Sequence, residues 1–179
     1  MTNIEETIQE IRHALRRNMS GPTAQAMRDR GVDYKINWGV PFYQLKAIAA
    51  DYQQDLQLAN ALWSHPVREM RILALLLMPA EACTLEQAMT WIEQSDSQEL
   101  VEIGSISLYV HINDAALLAK QCLESNEPFK LICALSICSR KPELQTTETT
   151  EKARMLLNHE NMAVKHSAYN FLLRTDAEF

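Results

Sequence analysis

The 179-residue chain is 47% hydrophobic and 22% charged, with a formal net charge of -6 and a pI near 5.4. A chain of this length is expected to form one globular domain, residues 1–179, with about two thirds of its unfolded surface buried. Four glycines and six prolines are too few for the many turns of an all-β fold, and the acidic total counts against a nucleic-acid face spread over the whole chain.

The charge is unevenly divided. Residues 1–80 hold nine Lys/Arg and eight Asp/Glu, whereas residues 81–179 hold eight and fifteen. Any phosphate-binding surface is therefore expected in the first half. The longest apolar run, Ile72 to Ala80, is far too short to span a bilayer, so no membrane role is expected. Met1 to Glu10 carries acids and no apolar core stretch, which does not read as a signal peptide. Cys83, Cys122, Cys133 and Cys138 form no Cys-x-x-Cys pair and no histidine joins them at zinc spacing. They read as small buried hydrophobes in a reducing, cytoplasmic compartment, with no metal and no cofactor.

Ile4, Ile8, Ile11 and Leu15 recur at steps of four, three and four, which puts them on one helical face. Arg12, Arg16 and Arg17 fall off that stripe. Ser20 is placed to cap a second helix with Pro22 in its first turn, and Gly31 to stop it. Residues 32–40 connect to a third helix opened by Pro41, with Leu45, Ile48, Ala49 and Tyr52 inward. Asp55 to Ser64 is a helix, and Pro66 begins another to about Leu77. Thr84 caps the next, to Gln94, with Gln87 in the capping-box place. Asp96 is expected to cap a helix to about His111, Asn113 one to about Glu124, and Pro128 to begin one ending near Ser139. A polar connection, Arg140 to Thr147, leads to two last helices at about 148–158 and 161–174.

Small residues sit midway along alternate helices, at Ala74, Gly104, Ala134 and Ala168. Leu62, Cys122 and Leu156 each precede one of them by the same interval. A helix pair repeated at this spacing is the pattern of an α-solenoid, because a pair cannot bury its own apolar faces and a small side chain lets two axes approach. A non-repetitive helical bundle is the alternative. Either way the chain is all-α, with about ten to eleven helices.

Two stretches carry a resemblance. Asn37-Trp38-Gly39-Val40-Pro41, followed by Leu45, Ile48 and Ala49, is one. Ala59-Asn60-Ala61-Leu62-Trp63-Ser64-His65, followed by Arg68-Glu69-Met70-Arg71 and Leu73-Ala74-Leu75, is the other. Both resemble the DNA alkylation repair family, in which a leucine-tryptophan pair ends one helix and an acidic-x-arginine motif opens the next. The resemblance is good over residues 1–80 and looser beyond. It implies an α-α superhelix of HEAT-like repeats related to alkylpurine DNA glycosylases. There, a carboxylate stabilises the positive charge that grows on the sugar as the base leaves, aromatic rings pack on the sugar, and an arginine holds the backbone.

Carried onto this chain, the catalytic segment falls at Gln98-Glu99-Leu100-Val101-Glu102, within Trp91 to Glu102. Glu102 stands in the catalytic aspartate's place and Gln98 in a tryptophan's. Glutamate keeps the charge but reaches one methylene further. Phe129-Lys130-Leu131-Ile132 stands where the arginine is expected, with Lys130 as the available cation, and Tyr169 takes the place of the final tryptophan. Arg12, Arg16, Arg17, Arg28, Arg30, Lys35 and Lys46 are candidates for a phosphate-binding surface; the alternative is a solvated helix face interspersed with Asp29 and Asp33. Trp38 and Trp63 read as core residues between repeats rather than stacking platforms. His65, His159 and His166 read as helix-end residues. The resemblance thus implies duplex DNA as partner, with weak or lost alkylpurine glycosylase activity. The alternative is a non-catalytic scaffold for a protein partner.

Overall fold

The computed structural model describes residues 3–32 and 34–175; Asp33, weighed above, lies outside them. The described residues form eleven α-helices joined by short turns and three 3₁₀ turns, in two compact units, Met1–Ala82 and Cys83–Phe179.

The first unit holds α1 (Ile4–Arg17), α2 (Gly21–Asp29), α3 (Phe42–Ala50), α4 (Leu56–Trp63) and α5 (Arg68–Leu77). The stripe on α1 buries Ile8, Ile11 and Leu15 as the periodicity requires. The Ser20 hydroxyl accepts from the Thr23 N–H at 3.3 Å, and Gly31 takes a positive φ of 81° just past α2. Asp55 caps α4 through the Leu58 N–H at 2.7 Å. Helices α4 and α5 pack as a pair, with α1 and α3 against them. Helix α5 starts at Arg68 rather than at Pro66. The reason is that the Arg68 N–H donates to the Ile36 carbonyl at 3.0 Å, which holds the chain before it extended.

The second unit holds α6 (Leu85–Glu93), α7 (Gln98–Ser107), α8 (Ala115–Glu124), α9 (Pro128–Cys138), α10 (Thr147–Leu156) and α11 (Met162–Arg174). The expected cap of α7 moves by one residue. Ser97, not Asp96, accepts from the Leu100 N–H at 3.2 Å. Helix α7 ends at Ser107, and a 3₁₀ turn over Tyr109–His111 buries Leu108, Tyr109 and Val110. Asp114 rather than Asn113 occupies the cap position of α8.

Helix α9 is the centre of this unit. It packs on α7, α8 and α11, and its residues from Lys130 to Cys138 are buried all round except Ser136. A helix apolar on every side is a core helix, and each of its large aliphatic side chains contributes about 1.5–3 kcal/mol by burial. Helices α7, α9 and α11 are the second members of successive pairs, and they lie side by side with Gly104, Ala134 and Ala168 buried between them. The small-residue pattern in the sequence marks this row of close-packed axes.

Candidate functional site

Within the first unit, the Asn37–Pro41 segment is held by buried charge. Both oxygens of the Glu69 carboxylate accept backbone N–H groups at 3.2 Å, Oε2 from Trp38 and Oε1 from Val40. Arg68 pairs with Glu69 at 3.1 Å and donates to the Val40 carbonyl at 3.0 Å, while its guanidinium lies 5.9 Å from the Tyr34 ring centre. Gly39 has φ of 72°. A Cβ there would land on the Ser20 carbonyl oxygen and lie 2.8 Å from the Ala24 N–H. The motif therefore requires glycine, and the adjacent Arg68 and Glu69 anchor the loop, while Arg71 lies over Trp63. Trp63 is buried, with Arg71 5.3 Å from its ring centre, and Trp38 is half-buried.

The basic candidates of this unit are spread over α1, α2, the loop and α3. Arg16, Arg17, Arg28, Arg30, Lys35 and Lys46 are exposed, and none makes an ion pair with a described residue. Arg28 donates to Gln25 at 2.8 Å, and Lys46 lies 5.8 Å from the Phe42 ring centre. Arg12 is half-buried, and its Nε has no hydrogen-bond partner among the described residues. His65 is pushed below its ordinary pKa, first by burial and then by the charge of Arg12.

The second unit brings one predicted residue into a cavity. Along the row α7–α9–α11 lies a space of about 460 Å³. Helical spacing builds its walls: Glu102 and Ile106 from α7; Ile132, Leu135 and Ser136 along α9 with Ser139 at its cap; and His166, Asn170 and Arg174 from α11. The Glu102 carboxylate accepts from Gln98 Nε2 at 2.7 Å, which leaves its second oxygen without a partner among the described residues. Two guanidiniums share the cavity. Arg140, just past α9, is fixed through Nη1, which donates to the Ser136 carbonyl at 2.8 Å and to the hydroxyls of Ser139 at 3.0 Å and Ser136 at 3.1 Å. Arg174 is the last residue of α11. Neither makes an ion pair with Glu102 or with any other described carboxylate. Burial first, and Arg174 second, push the pKa of Arg140 below its ordinary value.

The other candidates stand apart from this cavity. Lys130, at the start of α9, is buried and pairs with Glu93 at 2.7 Å and Glu127 at 3.2 Å. The hydrogen bond to Glu93 chiefly raises its pKa against the opposing effect of burial. Its ammonium is thus already matched by two carboxylates. Tyr169 is exposed on α11, adjacent to Asn170 but outside the cavity wall. An arginine does stand in the Glu102 cavity, but it comes from the far end of the helix whose start offers Lys130. His166 lies in the body of α11 and faces the cavity rather than closing a helix end, whereas His159 does serve a turn, its Nδ1 accepting from Asn161 at 3.0 Å. Arg140 and Arg174 escaped the sequence reading because both sit in the acidic half. The available signal was that each lies six residues beyond a small residue of the repeat, Arg140 after Ala134 and Arg174 after Ala168.

Comparison with known proteins adds three findings. A family model described as DNA alkylation repair enzyme matches residues 11–178. No curated protein matches the chain. A solved structure from a family of proteins related to the HEAT-like repeat DNA glycosylases, with affinity for branched DNA structures, superposes with a TM-score of 0.82 at 18% identity; the match covers 97% of this chain and 76% of that one. The fold is therefore the all-α HEAT-like repeat fold. No helix among the described residues is long and apolar enough to cross a membrane.

Proposed function

The chain belongs to the DNA alkylation repair enzyme family, and from that premise we propose that it is a DNA-binding protein of the cytoplasm with weak or no alkylpurine excision. The observation that carries this reading is the cavity that unites Glu102 with Arg140 and Arg174. Guanidiniums without carboxylate partners are suited to phosphate, because the planar fork offers paired charge-assisted donors. The same two charges weaken the case for excision. A cation growing on a sugar in this cavity is stabilised by Glu102 but repelled by Arg140 and Arg174 unless phosphate neutralises them. One Glu102 oxygen is also tied to Gln98, where the family pattern has an aromatic ring to pack on the sugar. The affinity of the structural relative for branched DNA supports testing branched forms beside plain duplex.

Electrophoretic binding to duplex, three-way-junction and alkylated duplex DNA at low salt tests the reading, together with an assay for released alkylated base. Retention of DNA that weakens with salt, with little base release, is the expected result. Absence of binding to every form at micromolar protein sinks it. A second reading, a protein scaffold, is favoured by an apolar groove lined by Leu117, Leu123, Leu144 and Met155, of which Leu117 and Met155 are exposed. It predicts indifference to DNA and capture of a partner after nuclease digestion.

A further inference from the structure

At the α9–α11 end of the cavity two guanidiniums, Arg140 and Arg174, face one space, one positive charge more than an internal phosphate of a DNA strand requires, while Glu102 stands on the α7 wall beyond ion-pair reach of both. A phosphodiester carries a single negative charge. A phosphomonoester carries about 1.5 to 2 near neutral pH and offers three acceptor oxygens. Arg140 and Arg174 are both permanently charged. They face one space with no described carboxylate within ion-pair reach of either. Like charges that face one space repel each other; burial first, and the charge of the exposed Arg174 second, lower the pKa of Arg140. An anion of two charges relieves that repulsion.

The remaining wall supplies neutral donors. Ser167 and Asn170 of α11 line the cavity, and neither side chain is hydrogen-bonded to a described residue. The imidazole of His166 stands beside them. Arg140 uses only Nη1 in its bonds to Ser136 and Ser139, so Nε and Nη2 remain available. At about 460 Å³ the space matches a nucleotide-sized group rather than a lone ion. A continuous strand passes over such a recess, whereas a strand end projects into it. Glu102, on the opposite wall, disfavours a second phosphate and leaves one oxygen to accept from the sugar of the terminal nucleotide.

We propose that this cavity is a binding site for the phosphomonoester at a DNA strand end. The proposal rests on the DNA-binding reading above and names the part of DNA that the cavity takes. Fluorescence anisotropy of the full chain with nicked duplexes tests it, in arms bearing a 5′-phosphate, a 5′-hydroxyl, a 3′-phosphate or a 3′-hydroxyl at the nick. One phosphorylated end is expected to bind about tenfold tighter than its hydroxyl partner, the size of one added charge-assisted contact. Arg174→Ala should bring that ratio to about one. Arg140→Lys should lower it while helicity by circular dichroism stays that of the native chain. Equal affinity for phosphorylated and hydroxyl ends overturns the inference and leaves DNA binding standing. A tenfold ratio that survives Arg174→Ala overturns it as well, by placing the phosphate elsewhere. Loss of binding to every arm in the native chain overturns the inference and the DNA-binding reading together.

Discussion

The two units put their charged groups to opposite uses. In Met1–Ala82 the deepest charges are Arg68 and Glu69, which pair with each other and hold the backbone of the loop before α3, while the eight other Lys/Arg side chains lie on or near the surface. In Cys83–Phe179 two guanidiniums line one cavity, and neither pairs with a described carboxylate. Yet Met1–Ala82 holds nine Lys/Arg against nine Asp/Glu, and Cys83–Phe179 only eight against fourteen. The more acidic unit thus holds the cavity proposed to take an anion. Regional net charge sets the long-range field, but a site for one anion depends on which few side chains a fold points into one space. Lys130 makes the same point from the other direction, since two carboxylates already occupy it.

The contrast is broken most severely at Glu69. Its carboxylate is fully buried, pairs with Arg68 and accepts two backbone N–H groups. Glu69→Ala removes a buried charge partner of Arg68 and the acceptor of two backbone N–H groups, and a loss of about 3–5 kcal/mol is expected. Denaturant unfolding measures the loss. Amide hydrogen exchange should show protection falling in Met1–Ala82 while α9 stays protected. A cost below about 1 kcal/mol would show that the pair is dispensable to the loop.

Gly39→Ala attacks the same loop through the backbone. Its positive φ costs an L-residue about 1–2 kcal/mol, and the added methyl meets the Ser20 carbonyl and the Ala24 N–H. The expected loss is about 2–4 kcal/mol, read by the same unfolding curves. Because Gly39 and Glu69 support one loop, the double variant should cost less than the two singles together.

These residues also show how far the sequence could be read. The helices were legible because their cause is local: α1 repeats its aliphatic residues at helical spacing, and Ser20, Asp55 and Thr84 cap where a short polar side chain precedes an apolar stripe. The Gly39 loop was recognisable as a motif, but the reason for it was not, since the anchoring residues lie about thirty positions away. Glu102 was found through family resemblance. Arg140 and Arg174 were not, because their meeting is created by the packing of α9 on α11; the shared step from Ala134 and Ala168 marks equivalent positions in the repeat but not that the two side chains face one space. The cap of α7 shifted from Asp96 to Ser97 for a smaller reason: adjacent residues with equivalent oxygens compete for the same N–H groups.

The second unit is probed more gently at Glu102. Glu102→Gln removes the only carboxylate among the described residues that line the cavity, while keeping its shape and its contact with Gln98. Affinity for DNA should rise a few-fold, because one repulsive charge is withdrawn from a phosphate site. Anisotropy titration reads that change. Any base release shown by the native chain should fall in the same variant, since the carboxylate is the one group in the cavity able to stabilise a cationic sugar. Weaker DNA binding with unchanged base release would place the reacting centre elsewhere.

The smallest effect belongs to His65 of the first unit. Burial, and then the charge of Arg12, hold its pKa below the ordinary histidine value. The unfolded chain therefore binds this proton more readily than the folded one. The histidine's contribution to stability is fully present above pH ~6.5 and is lost as pH falls through the lower folded value. The imidazole is half-buried and partly screened, so the melting temperature should fall only slightly between neutral and mildly acidic pH. His65→Gln should flatten that part of the profile. Arg12→Ala should flatten it less, because burial rather than Arg12 is the larger cause. A profile for Arg12→Ala as flat as that for His65→Gln would reverse that ranking and make the α1 guanidinium, rather than burial, the main cause of the shift.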